Sequence, residues 1–197
     1  MTFLLINLPT DPLTPTVVAD LARDCHADSV SKGWWEPLDT PAQEAAREAM
    51  RADLIGSEVG EALDALRRPE RPLAYLDDKG KPDGYLVEVA DVAIRALDLL
   101  GRVAQRIDTD YADNAIRCGQ EHLSSNDEPG KWQHRVWHVL NRIAADPNDW
   151  GNVRRCAWIV FLCEIECTRH NADLLHLIQI KRDFNRTRPT RHGGLSV

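Results

Sequence analysis

"LIGSEVGEALDALRR", residues 54–68, decides the fold. Ile55, Val59, Ala62, Leu63 and Leu66 recur at helical spacing, so the stretch is an amphipathic helix with one face toward a core. Glu58 and Glu61 stand one turn apart beside that stripe. Gly60 lies between them, although glycine inside a helix costs ~1 kcal/mol relative to alanine. "YLVEVADVAIRALDLL", residues 85–100, repeats the arrangement: Val89, Val92, Ala93, Ala96 and Leu100 form the stripe, with Glu88 and Asp91 beside it.

Working outward, the remaining segments are also helical. A first helix is expected over 15–31, followed by a break at Gly33-Trp34-Trp35-Glu36-Pro37. A long helix starts at Pro41, with Thr40 as cap and Gln43 completing a capping box, and stops before Pro69. A polar connector rich in Pro and Gly follows, and Asp83 is the expected cap of the 85–106 helix. Further helices are expected over 109–123, 131–145 and 152–169, and from after Asn171 to about Arg186. "SSNDEPGK" is the clearest internal linker, and the tail from Arg188 is expected to be irregular. The chain reads as a single all-α domain, 1–197, because no stretch offers sustained strand alternation with hairpin turns.

The 197 residues are 43% apolar, enough for a core, and 28% charged. A net charge of −7 disfavours nucleic-acid or membrane-surface binding. "MTFLLIN" is too short and lacks the basic flank of a signal peptide, and "AWIVFLC" is far below a membrane span. Five cysteines, an odd number at mostly helical positions, point to reduced core thiols and a cytoplasmic location.

Residues three apart on a helix are neighbours, so two packed helices would gather Glu58, Glu61, Glu88 and Asp91 in one place. Gathered acids repel, and the simplest relief is a hard cation with oxygen ligands, Mg²⁺ or Mn²⁺. Acids on a helix flank are also the ordinary solvated face. A helix-bundle di-iron site needs two Glu-x-x-His motifs, and only Asp173 to His176 approaches that spacing. "KRDFNRTRPTRH", 181–192, carries five Lys/Arg against one acid. Such a strip suits either a helix C-terminus or a polyphosphate.

Together, "SEVGEALDALRR", "KPDGYLVEVADVAIRALD" and "KRDFNRTRPTRHGG" resemble the MazG-like all-α nucleoside triphosphate pyrophosphohydrolases. With "CHADSVSKGWW", the resemblance covers roughly 20–102 and 170–194. It implies Mg²⁺-dependent cleavage of a nucleoside triphosphate between the α and β phosphates, in a house-cleaning role, by a homodimer. Carried over by position, Glu58, Glu61, Glu88 and Asp91 would hold the metal, with Glu61 as general base. Lys181, Asn185, Arg188 and Arg191 would contact phosphate or sugar, and His26, Trp34 and Trp35 the base. Gly60 would let the neighbouring helix approach. Three departures stand out: Ser57 where the family often has a third acid, no lysine after His192-Gly193, and the atypical stretch 103–169.

That stretch is either a helical insertion or a degenerate repeat. Residues 135–146 and 153–178 echo the two acid-bearing helices. The ligand positions would then fall on Val139 and Arg142, and on Gly151/Arg154 or Val153/Cys156. This makes an internal pseudo-dimer with one live site. Cys163, Cys167 and His170 have a zinc-like spacing but no fourth ligand, and read as core. His134 and His138 lack companions. Arg95 is expected to pair with Asp91, and Asp98 to extend the acidic face as a further metal ligand or a support to one. A non-catalytic nucleotide-binding or regulatory protein and a structural helical oligomer are the competing functions.

Overall fold

The structure, a computed structural model, describes residues 2–3, 12–37, 40–121, 132–145 and 148–190. Among these residues are seven helices: α1 (Pro15–Ser31), α2 (Pro41–Leu66), α3 (Tyr85–Ala104), α4 (Thr109–Glu121), α5 (Trp132–Ala145), α6 (Asp149–Arg169) and α7 (Leu174–Thr187). The mostly helical architecture matches the sequence pattern. The linker 124–131 and the tail from Arg191 lie outside the described residues.

Helix starts follow their caps. Thr14 accepts from the Val17 amide ahead of α1, and proline occupies the first turn. Thr40 and Gln43 form the reciprocal capping box of α2. Asn148 accepts from Gly151 and Asp173 from His176, closing the N-termini of α6 and α7. Each side chain satisfies an amide that the helix itself leaves without a partner.

The connector between α2 and α3 departs from expectation. It holds a small antiparallel hairpin, β2 (Tyr75–Leu76) and β3 (Pro82–Asp83), with β1 (Thr2–Phe3) on its edge. Asp83 does not cap α3. Its Oδ2 instead accepts from the Tyr75 hydroxyl at 2.8 Å, while Gly84 begins the helix at φ 112°. A Cβ at Gly84 would stand 2.7 Å from the Leu73 carbonyl oxygen, so both the backbone angle and the close approach require glycine.

Helix α3 is the central element, buried along most of its length against α1, α2, α6 and α7. A Cβ at Gly101 would run into the Ala22 carbonyl oxygen and stand 2.8 Å from the Cβ of His26, so α1 crosses α3 at closest range there. Gly60 plays no such part. It is exposed, and a Cβ there would meet nothing within 4 Å. The glycine of α2 in close contact is Gly56, against the Trp137 ring of α5.

The packing has a reciprocal pattern. Helix α3 receives α1 and α2, α6 receives α4 and α5, and α3 lies against α6. Helices α2 and α5 also touch, as do α1 and α4. The ends of α3 and α6 meet antiparallel: the Tyr85 ring lies 5.7 Å from that of His170, and Arg106 pairs with Asp149 at 2.6 Å.

Candidate active site

A cavity of about 380 Å³ opens between α1, α2, α3 and α7. Glu58 on α2 and Glu88 and Asp91 on α3 project into it, each offering a carboxylate oxygen within 4.8 Å of the others. Glu58 and Glu88 are buried and Asp91 is half-buried. The helical stripe that buries Ile55, Val59 and Ala62 carries Glu58 to the α2–α3 seam. Glu61, one turn on, stands outside the cluster and is exposed where it lines the cavity.

Burial dominates the electrostatics. It pushes the Glu88 carboxyl up to about 7, and neighbouring Asp91, Glu58 and Glu61 add to the rise while Lys181 opposes it. The Glu58 carboxyl is raised for the same reasons, burial first and then Asp91, against the pull of Arg95. Burial alone would lower the Lys181 ammonium, but the charges of Asp91 and Glu88 outweigh it and hold it above the usual range. Lys181 Nζ lies 2.5 Å from Asp91 Oδ2. Arg95 does not pair with Asp91 along its own helix. Its Nε reaches across to Glu58 Oε1 at 3.0 Å, where the buried acid offers the stronger attraction.

The adjoining wall belongs to α7, which meets the acids at Lys181. Lys181, Arg182, Asn185, Arg186 and Arg188 all line the cavity, while Arg191 lies outside the described residues. Asn185 Oδ1 is buried with no hydrogen-bond partner among the described residues. Ion pairs clasp this wall to α1. Arg182 Nε donates to Asp28 Oδ2 at 2.8 Å, Arg186 Nε to Asp28 Oδ1 at 3.1 Å, and Arg182 also pairs with Asp24 at 3.4 Å. Lys32 Nζ donates to the carbonyls of Arg186 and Arg188 at 2.8 and 2.6 Å.

The expected base contacts separate. Trp34 lines the cavity, whereas His26 and Trp35 are buried behind it. The Trp35 ring is surrounded by the guanidinium groups of Arg47, Arg51 and Arg102 at 5.1–5.6 Å, which leaves no ring face for a base. His26 and Trp35 instead hold Asp98, another lining residue. Asp98 Oδ1 accepts from His26 Nδ1 at 2.9 Å and from Trp35 Nε1 at 2.8 Å, and Oδ2 from the Ser29 hydroxyl at 2.9 Å.

Elsewhere, Cys163 and Cys167 are buried, and burial holds both thiols well above their usual range. His170 faces Glu166 at 3.4 Å, within a network in which the Tyr85 hydroxyl donates to Glu166 at 2.6 Å. No described helix is long and apolar enough to cross a membrane. Comparison with protein-family models, curated proteins and solved structures found no match.

Proposed function

We propose that this protein is a Mg²⁺-dependent nucleoside triphosphate pyrophosphohydrolase. The observation that carries the reading is the convergence of Glu58, Glu88 and Asp91 in a cavity also lined by Lys181, which pairs with Asp91, and by Asn185, Arg186 and Arg188. The donor set fits a hard divalent ion, for it is all carboxylate, close-set and partly buried. Glu58, Glu88 and Asp91 would hold the ion. When bound, such an ion polarises phosphoryl oxygens and lowers the pKa of water.

The chain's own groups cover the remaining roles. Lys181 and Arg188 offer cations to the phosphates, and Asn185 a carbonyl oxygen to the sugar. Glu61 lies outside the cluster but lines the cavity, and its carboxylate would accept the proton of the attacking water. Cleavage between the α and β phosphates then leaves a nucleoside monophosphate and pyrophosphate. Purified protein with Mg²⁺ is expected to release pyrophosphate from a triphosphate panel. Orthophosphate as first product would refute the cleavage position. Glu61→Gln and Asp91→Asn are expected to remove that activity while retaining helical circular dichroism; near-normal rates in either would count against the site.

A non-catalytic nucleotide-binding role is favoured by one feature. Arg95 and Lys181 already neutralise Glu58 and Asp91, so an ion must compete with cations of the protein. Tight nucleotide binding without turnover would select this alternative.

The reciprocal packing of α1–α3 and α4–α6 supports an internal pseudo-dimer within the single domain 1–197. An exchange relating Tyr85 to Asp149 and Arg106 to His170 carries each end contact of α3 and α6 onto the other. It sets Asn152 and Arg155 against Glu88 and Asp91, a register between the two that the sequence allowed. Arg155 is buried and donates to Asn152 Oδ1 at 3.0 Å, so an internal cation takes the place an ion would need in that half. One live site per chain follows. A homodimer, expected from the resemblance, is then not needed to complete the packing.

A further inference from the structure

The cavity has a second polar end that the phosphate chemistry does not use. Asp91, Ile94, Arg95 and Asp98 lie along one face of α3, and all four line the cavity. Asp91 belongs to the acid cluster, and Asp98 is two turns further along, about 10 Å at the helical rise. That is the order of the span from a nucleotide's α-phosphate to the far edge of its base. Trp34, with the Arg51 guanidinium over its ring at 5.3 Å, and the aliphatic Ile94 line the cavity as well.

The hydrogen-bonding capacity of that end is one-sided. A carboxylate has about four acceptor positions and no donor. Three are filled by His26, Trp35 and Ser29, which leaves one on Oδ2. Ser29 spends its hydroxyl hydrogen on Asp98, so its oxygen presents only lone pairs. Arg95, the nearest cation on the same helix, is drawn one turn away toward Glu58. Asp28 is engaged by Arg182 and Arg186. At Asp98 itself an acceptor therefore faces the ligand, held rigidly by three donors from α1 and the Trp34–Trp35 turn, while the nearby lining cation Lys32 is turned to the carbonyls of Arg186 and Arg188.

We infer that Asp98 is the specificity-determining residue, selecting bases whose edge carries an exocyclic amino group, cytosine or adenine, over those with a carbonyl there. The inference rests on the nucleotide reading of the same site. An amino group donates into the remaining acceptor of Asp98 Oδ2, as carboxylates do with the cytosine amino group elsewhere. The carbonyl of uracil or hypoxanthine would instead set one acceptor against another. His26 and Trp35 are positioning residues, since they act through Asp98.

Two pairs of substrates isolate that single group: deoxycytidine against deoxyuridine triphosphate, and deoxyadenosine against deoxyinosine triphosphate. With the full chain and Mg²⁺, pyrophosphate release is expected to favour at least one amino member over its partner by about ten- to a hundredfold in kcat/KM. Asp98→Asn keeps an oxygen for His26 and Trp35 but turns an amide donor toward Ser29 and the ligand. The preference is expected to shrink or reverse in that variant. Equal kcat/KM within both wild-type pairs, or preference for the carbonyl member, overturns the inference while leaving the pyrophosphohydrolase intact; so does a folded Asp98→Asn variant with an unchanged ratio. No pyrophosphate from any of the four overturns the inference, and the parent reading falls with it only if the wider triphosphate panel yields none either. Should Asp98→Asn not fold, the wild-type pairs still decide.

Discussion

Glu88 carries the sharpest single-residue consequence. Its carboxyl is pushed up to about 7 by burial, so the folded chain binds this proton more tightly than the unfolded chain does. Stability from that proton is fully present below the unfolded value and is lost as pH rises through about 7. The metal-free protein is therefore expected to lose thermal stability between about pH 5 and about pH 8, and Glu88→Gln to flatten that decline. A divalent ion binds the ionised form, so Mg²⁺ should raise the melting temperature more at pH 8 than at pH 6. Differential scanning calorimetry across pH, with and without Mg²⁺, checks both statements. Lys181 opposes the rise at Glu88, and Lys181→Met is expected to move the decline in stability of the metal-free protein to higher pH. An unmoved decline would show that the ammonium does not act on that carboxyl.

Two glycines make opposite predictions for their helices. Gly101→Ala drives a methyl into the Ala22 carbonyl at the α1–α3 crossing, where backbone has little room to give. It should destabilise by about 1–3 kcal/mol in urea unfolding. Gly60→Ala meets open space in an exposed helical position and should stabilise by about 0.5–1 kcal/mol. Thr40→Ala removes half of a capping box and is expected to cost about 1 kcal/mol. These contrasts mirror what could be read from the chain. Helix starts at Pro15 and Pro41 were legible because prolines and, at Pro41, a capping box act locally, whereas the Asp173 cap of α7 emerged only from the structure. The hairpin at Tyr75–Asp83 was not, because two-residue strands give no alternation and the Tyr75–Asp83 bond spans a loop. Acid spacing revealed Glu58, Glu88 and Asp91 as neighbours, but an i,i+3 rule treats Glu61 alike, and only the orientation of α2 leaves it exposed. The Asp98 network was hidden for a similar reason: its donors come from α1 and the turn after it, so it exists only once α1 crosses α3.

At the scale of the whole molecule, α1–α3 and α4–α6 pack reciprocally, and if they form the proposed pseudo-dimer, both halves of that packing lie inside one chain. Among the described residues, the exposed large apolar side chains are few and divided among helices: Val30 on α1, Met50 and Leu66 on α2, Tyr111 on α4, Trp137 on α5 and Leu175 on α7. The unfolding midpoint is accordingly expected to be independent of protein concentration, which sedimentation and thermal melts over a dilution series can check. A midpoint rising with concentration would point to a dimer that contributes to folding. The charged clasp between α1 and α7 has a different consequence. Arg186 is half-exposed where it grips Asp28, and mobile ions weaken such grips within a Debye length of about 8 Å at physiological salt. Added salt should therefore loosen this grip at ionic strengths that leave the hydrocarbon interior intact, and a nucleotide bound as proposed would be released before the fold is lost.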